Sequence, residues 1–388
     1  MCDTFCKIYY LYCMKTPANP FVISGYYGKN WFCDREKETR LLLSYIKNKN
    51  NLTLFALRRL GKTGLIQHVF DQLSSSSRTA CIYVDIFSTT SIKGFTNQLA
   101  NAVYSRFPEK KGIGQRFFSF LKLLRPVFSY DALTGNPEVT LDLTHPKDYE
   151  RTIQQILSFL DKQPVKIVVA VDEFQQITTY PEKNTEALLR TSIQHLKNCC
   201  FIFCGSNHRI MTEMFNSAKR PFYGSCLNIS MDYINEKEYT GFINKLFHQN
   251  KRSITEEAID YILVFTERHT YYTQMVCNQV FATGNKNVKK EDVLKVCNEI
   301  LTLNEPIFYQ YRTLLTTGQW QLLTAIARET KVTKPHSADF IHKYKLGTSS
   351  VVTRGLEALL AKEMVYYNNS IKEPYYAVYD KFLMRWLQ

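Results

Sequence analysis

From about residue 50 the chain alternates short, nearly uncharged runs of β-branched and aromatic residues with stretches whose apolar positions recur at helical spacing. Runs with no polar face belong to strands covered on both sides, so the alternation predicts βαβ units around a mostly parallel sheet. Five such runs stand out: 52–56 (LTLFA), 80–84 (ACIYV), 166–171 (KIVVAV), 200–204 (CFIFC) and 226–230 (CLNIS). Between the second and third, residues 127–143 alternate partially about Thr134-Gly135-Asn136-Pro137, which predicts a β-hairpin inserted at the edge of the sheet.

Past residue 235 the strand signal fades and charged residues are spaced through amphipathic helical segments. From residue 314 the order changes again. A helix over 318–329, a short helix over 337–344, a third after Gly347 and two aromatic-rich strands predict a winged helix-turn-helix. The chain therefore divides into an N-terminal tail (1–18), an α/β core (19–234) holding the inserted hairpin, a helical lid (235–313) and a winged helix (314–388). No repeat of solenoid period is present.

Composition narrows this picture little. With 388 residues, 45% of them hydrophobic, the chain is long enough for two or three domains and too apolar for a disordered one. A formal charge of +14 favours an anionic partner without choosing among nucleotide, nucleic acid and membrane surface. The 11 cysteines contain no C-x-x-C pair and often lie inside apolar runs, the pattern of buried thiols in a reducing compartment. Cys2, Cys6 and Cys13 lack the paired spacing of a zinc site. No apolar run reaches the roughly 18 residues that span a bilayer, and the N-terminus lacks a basic leader, so a cytoplasmic protein with no membrane partner is expected. The first thirteen residues match nothing later in the chain and read as a short tail or a mis-assigned start.

The chemistry sits where strands end. The first run continues into Ala56-Leu57-Arg58-Arg59-Leu60-Gly61-Lys62-Thr63-Gly64 and then an apolar helix, which is a P-loop in its expected setting. Its amides would cradle phosphate, Lys62 would reach the β and γ oxygens, and Thr63 would ligate Mg²⁺. The run 166–171 ends in Asp172-Glu173, so Asp172 would hold the Mg²⁺ shell and Glu173 would polarise the attacking water. After the fourth run, Ser206 or Asn207 could orient that water. Arg220, just before the fifth run, could bring a charge to the γ-phosphate in cis or from a neighbouring subunit, or could face solvent. Arg58 and Arg59 could touch phosphate, a partner or water. With no Asn-Lys-x-Asp sequence to read guanine, adenine is the expected base and ATP the expected ligand.

These residues carry a resemblance. Asn19-Pro20-Phe21, Arg35-Glu36, the Arg58-Arg59-Leu60-Gly61-Lys62-Thr63 loop, Tyr83-Val84-Asp85, Asp172-Glu173-Phe174, Gly205-Ser206, Arg220-Pro221-Phe222-Tyr223, the His269 segment and the closing Asp380 with Arg385-Trp386 resemble the P-loop ATPases abundant in archaea and Bacteroidetes. These belong to the STAND branch of the AAA+-like class, with the Orc/Cdc6 initiators among their relatives. The resemblance implies an ATP-binding ASCE/AAA+-like core, a helical lid and a winged helix, with nucleotide state as a conformational switch. It also implies that Arg35 and Glu36 sit near the base or ribose. Ala56 and Leu57 stand where relatives carry a small residue and proline, Gly64 where serine is common, and Arg268 and Thr270 where glycine and proline flank His269.

The winged helix carries 10 Lys/Arg and 6 Asp/Glu, a net +4 that barely exceeds its share of the total. Ser349, Ser350, Thr353 and Arg354 suit phosphate or base contacts, and Lys343 and Lys345 backbone phosphates, so duplex DNA and a protein partner both remain open. The leading expectation is a slow Mg²⁺-dependent ATPase whose nucleotide state controls a partner through the winged helix. The alternatives are a DNA-binding initiator or regulator with a structural nucleotide, and a protein-binding scaffold. Oligomerisation is left open.

Overall fold

The computed structural model describes residues 17–75, 78–107, 112–124, 126–130, 137–143, 145–368 and 373–388. The N-terminal thirteen residues, with Cys2, Cys6 and Cys13, and most of the turn at 134–137 lie outside the described residues. Among the described residues the chain forms two compact units, Gly28–Asp232 and a second made of Tyr233–Gln388 with residues 17–27.

In the first unit every predicted run is a strand of one parallel sheet. Strands β1 (Leu52–Phe55) and β2 (Thr79–Asp85) are followed by a separate pair, β3 (Pro126–Tyr130) and β4 (Pro137–Leu141). Then come β5 (Lys166–Asp172), β6 (Cys199–Gly205) and β7 (Leu227–Ser230). The sheet order is β2-β5-β6-β1-β7, all neighbours parallel. Residues 167–172 of β5 and all of β6 are buried, as unbroken apolar runs require. At the edge, β7 is mostly exposed: Leu227, Asn228 and Ser230 face solvent and Ile229 is buried. The register pairs Asp85 with Asp172 and Phe55 with Gly205, so the carboxyl ends of β2, β5, β6 and β1 line one edge.

The expected hairpin forms, but not at the sheet edge. Strands β3 and β4 pair with each other alone, and the outward amides of Val139 and Leu141 donate to the side-chain carbonyls of Asn101 (2.5 Å) and Asn97 (3.0 Å) on helix Ile92–Arg106. Two asparagines thus satisfy the backbone groups that a further strand would otherwise take.

In the second unit, helices Glu236–Gln249, Glu256–Phe265, Thr270–Ala282 and Lys290–Thr313 pack together. The Asn19-Pro20-Phe21 segment belongs here rather than to the sheet. Phe21 is fully buried against Phe247 (5.3 Å) and Phe281 (6.0 Å), while Asn19 and Asn278 exchange side-chain hydrogen bonds with the carbonyls of Asn278 and Phe21. The winged helix comprises helices Thr317–Glu329, Ala338–Tyr344 and Ser349–Ala361, then the antiparallel strands Val365–Asn368 and Tyr375–Val378. Thr316 with Gln319 and Ser337 supply N-terminal caps. A final helix, Lys381–Leu387, went unread in the sequence. Its Arg385 donates to the carbonyls of Val264 and Phe265 and meets Glu267 at 3.4 Å, tying the winged helix to the helical layer.

Candidate functional site

The loop after β1 turns sharply before the helix Lys62–Ser74. The Leu60 amide donates to the Leu57 carbonyl at 3.3 Å, and Arg59 (φ 63°) and Gly61 (φ 97°) are left-handed. Glycine adopts that conformation freely, and such alternation curls successive amides into a concave run suited to an anion at a helix N-terminus. Ala56, Leu60 and Lys62 are buried, Leu57 and Gly64 are half-buried, and Arg58 and Arg59 are exposed. Gly64 leaves room for Phe32, whose ring would lie 3.5 Å from a Cβ there and stacks on His68 at 4.5 Å. Burial lowers the pKa of His68.

Across the sheet edge the Thr63 hydroxyl donates to Asp172 Oδ2 at 3.0 Å. The Tyr83 hydroxyl donates to the same oxygen, and the Glu173 amide to Oδ1 at 3.0 Å. Burial, reinforced by Asp172, raises the Tyr83 pKa, keeping it a donor. Asp85 also ends at this edge; burial raises its pKa against the Phe87 amide, with repulsion from Asp172 and Glu173 adding to the rise. Thr63 and Asp172 offer hydroxyl and carboxylate oxygens, the hard donors Mg²⁺ prefers, leaving further positions to phosphate and water. Among the described residues no group of three or more His, Cys, Asp or Glu could hold a metal by itself.

Glu173 is left-handed (φ 54°) and its Oε2 receives three donors: the Ser206 amide (3.2 Å), the Ser206 hydroxyl (2.7 Å) and Gln175 Nε2 (2.5 Å). Asn207, next to Ser206, caps helix His208–Asn216 through its side chain. The sequence reading missed Gln175 and the role of Tyr83; a polar residue two places after the acidic pair was the available signal for the first.

Two further residues expected at the site, Arg220 and Arg35, have partners within the protein. Arg220 is ion-paired to Glu186 at 2.7 Å and Glu213 at 3.6 Å rather than to the Lys62, Asp172 and Glu173 group. Burial raises the pKa of Glu186, with Arg220 opposing. Arg35 is 4% exposed and left-handed, and its guanidinium bonds the Leu60 carbonyl (3.4 Å), the Asp232 carbonyl and Glu38 (3.2 Å), bracing the P-loop from behind.

On the winged helix, Ser349, Ser350, Thr353 and Arg354 are exposed together at the start of their helix, and Lys345 is exposed nearby. Lys343 is taken up by Glu329 at 2.6 Å. Among the described residues no helix is long and apolar enough to cross a membrane.

Comparison with solved structures finds similar folds at low identity. The Walker-type ATPase PABY2304 of Pyrococcus abyssi matches with a TM-score of 0.63 and 16% identity, over 95% of this chain and 99% of that one. The Aeropyrum pernix ORC1 protein in complex with DNA matches with a TM-score of 0.54 and 13% identity, over 95% and 96%. The Aeropyrum pernix ORC2 protein in its ADPNP-ADP complexes matches with a TM-score of 0.50 and 11% identity, over 91% of each chain. No curated protein sequence matches. The family described as a probable winged helix domain covers residues 306–388. The family described as an ATPase domain predominantly from Archaea covers residues 32–274, more than half of the chain. With the P-loop and acidic strand end joined as above, the chain belongs to this family of ATPase domains found predominantly in Archaea.

Proposed function

We propose that this protein binds ATP with Mg²⁺ at the carboxyl edge of its parallel sheet, hydrolyses it slowly, and uses the nucleotide state as a switch. The observation that carries the reading is the 3.0 Å hydrogen bond between Thr63 and Asp172, beside the buried Lys62 at the first position of the P-loop helix. It brings the hydroxyl and carboxylate of two distant motifs to a single point. The loop amides and Lys62 would bind the β and γ oxygens, Thr63 and Asp172 would hold the cation, and Glu173 would take the proton of the attacking water. Mg²⁺ bound there supplies charge neutralisation on the phosphate oxygens. The test is calorimetric titration of MgATP into wild type and Lys62→Ala: binding should be lost or weakened severely in the variant, and equal affinity would remove the assignment.

A second reading, DNA contact through the winged helix, is favoured by the exposed Ser349, Ser350, Thr353 and Arg354 and by likeness to a protein solved in complex with DNA. The thin basic charge argues for a modest contact. Duplex binding should fall steeply with salt and weaken in Arg354→Ala; binding insensitive to both leaves the partner a protein.

A further inference from the structure

We infer that Gln175 is a positioning residue for hydrolysis, holding the Glu173 carboxylate in its working orientation. This rests on the hydrolytic reading above.

The backbone aims the side chain. Glu173 is left-handed and opens the 3-10 turn Phe174–Thr179, whose first residue is fully buried among Phe203 (4.4 Å), Phe222 (5.4 Å) and Phe215 (5.9 Å). With Phe174 anchored in that cluster, the turn carries Gln175 back towards the residue two places earlier. Of the two terminal atoms of Gln175 only the nitrogen donates, and its 2.5 Å hydrogen bond to Glu173 Oε2 sets which way the amide faces.

That orientation has a cost, and the surroundings accommodate it. Gln175 Oε1 is enclosed and accepts no hydrogen bond, a state that opposes folding. The residue facing it is Gly205. A Cβ there would collide with Gln175 Oε1 and lie 2.9 Å from Cγ and Sδ of Met211. A side chain serving packing alone could turn its oxygen elsewhere, whereas this one keeps an unsatisfied acceptor in order to donate to Glu173. With Ser206 contributing two donors to the same Oε2, the carboxylate is held by three. Its Oε1 is the oxygen left to accept from water.

The test uses the full chain. In Gln175→Met, which keeps length and loses the donor, kcat should fall about tenfold or more while KM and MgATP affinity stay within about twofold. Gln175→Glu, with the shape kept and the donor replaced by a charge, should lose at least as much. Gly205→Ala should lower the melting temperature of the wild type, and part of that loss should vanish in Gln175→Ala, where the contacts with Met211 remain. Wild-type turnover with undiminished kcat in Gln175→Met overturns the proposal alone. Absence of turnover in the wild type overturns the hydrolytic reading and the proposal together.

Discussion

The Thr63 hydroxyl meets the Asp172 carboxylate at 3.0 Å although 109 residues separate them. β6 lies between the strands they follow, so the contact bridges the edge of the sheet. Tyr83, from the strand on the other side of β5, completes the arrangement by donating to the same oxygen. Asp172 is therefore oriented from both directions.

Removing one of these donors should be felt through the cation. Tyr83→Phe deletes a hydrogen bond worth about 1 kcal/mol or somewhat more with a charged acceptor. MgATP affinity should weaken roughly three- to tenfold, with ATP affinity in EDTA unchanged. Titrations with and without Mg²⁺ check this; equal loss in both would place Tyr83 on the fold rather than on Asp172.

Arg220→Ala should destabilise the protein. Glu186, 12% exposed, would lose the 2.7 Å partner that opposes the burial of its charge, and breaking such a partly buried pair costs on the order of 1–3 kcal/mol. Adding Glu186→Gln should restore part of the loss, measurable by urea unfolding. If turnover is lost with stability intact, the arginine acts on the phosphate instead.

Lys381 predicts a pH dependence. Its ammonium is 1% exposed, donates to the Val378 carbonyl at 3.2 Å and lies 5.3 Å from the Tyr366 ring centre. Burial lowers its pKa from 10.5 to about 8, with Glu267 opposing and Lys331 and Arg385 adding to the fall. The unfolded chain holds this proton more tightly, so the penalty is complete below pH 8 and fades as pH rises towards 10.5. Lys381→Met should be more stable than wild type at pH 7, by an amount of order 3 kcal/mol, and the advantage should shrink across that window. An advantage independent of pH would show that burial of charge is not its source.

What could be read in the sequence follows physical range. The strands 166–171 and 200–204 were legible because burial on both faces leaves an unbroken apolar run, and the P-loop because its residues are contiguous. The edge strand β7 was found but its exposure was not, since Cys226 and Leu227 are as apolar as interior residues. The hairpin was legible by its alternation, yet its docking on Asn97 and Asn101 depends on side chains some 40 residues upstream. The same limit hid the partners of Arg220 and Arg35, among them Glu186 and the carbonyls of Leu60 and Asp232, which lie far away in the chain. Gln175 was hidden by Gly205, whose missing side chain makes room for it.

The most direct measurement is steady-state MgATP hydrolysis by wild type against Glu173→Gln, with nucleotide affinity determined on the same samples. The account predicts slow wild-type turnover that disappears in the variant while MgATP stays bound. Hydrolysis at the wild-type rate by Glu173→Gln would contradict it.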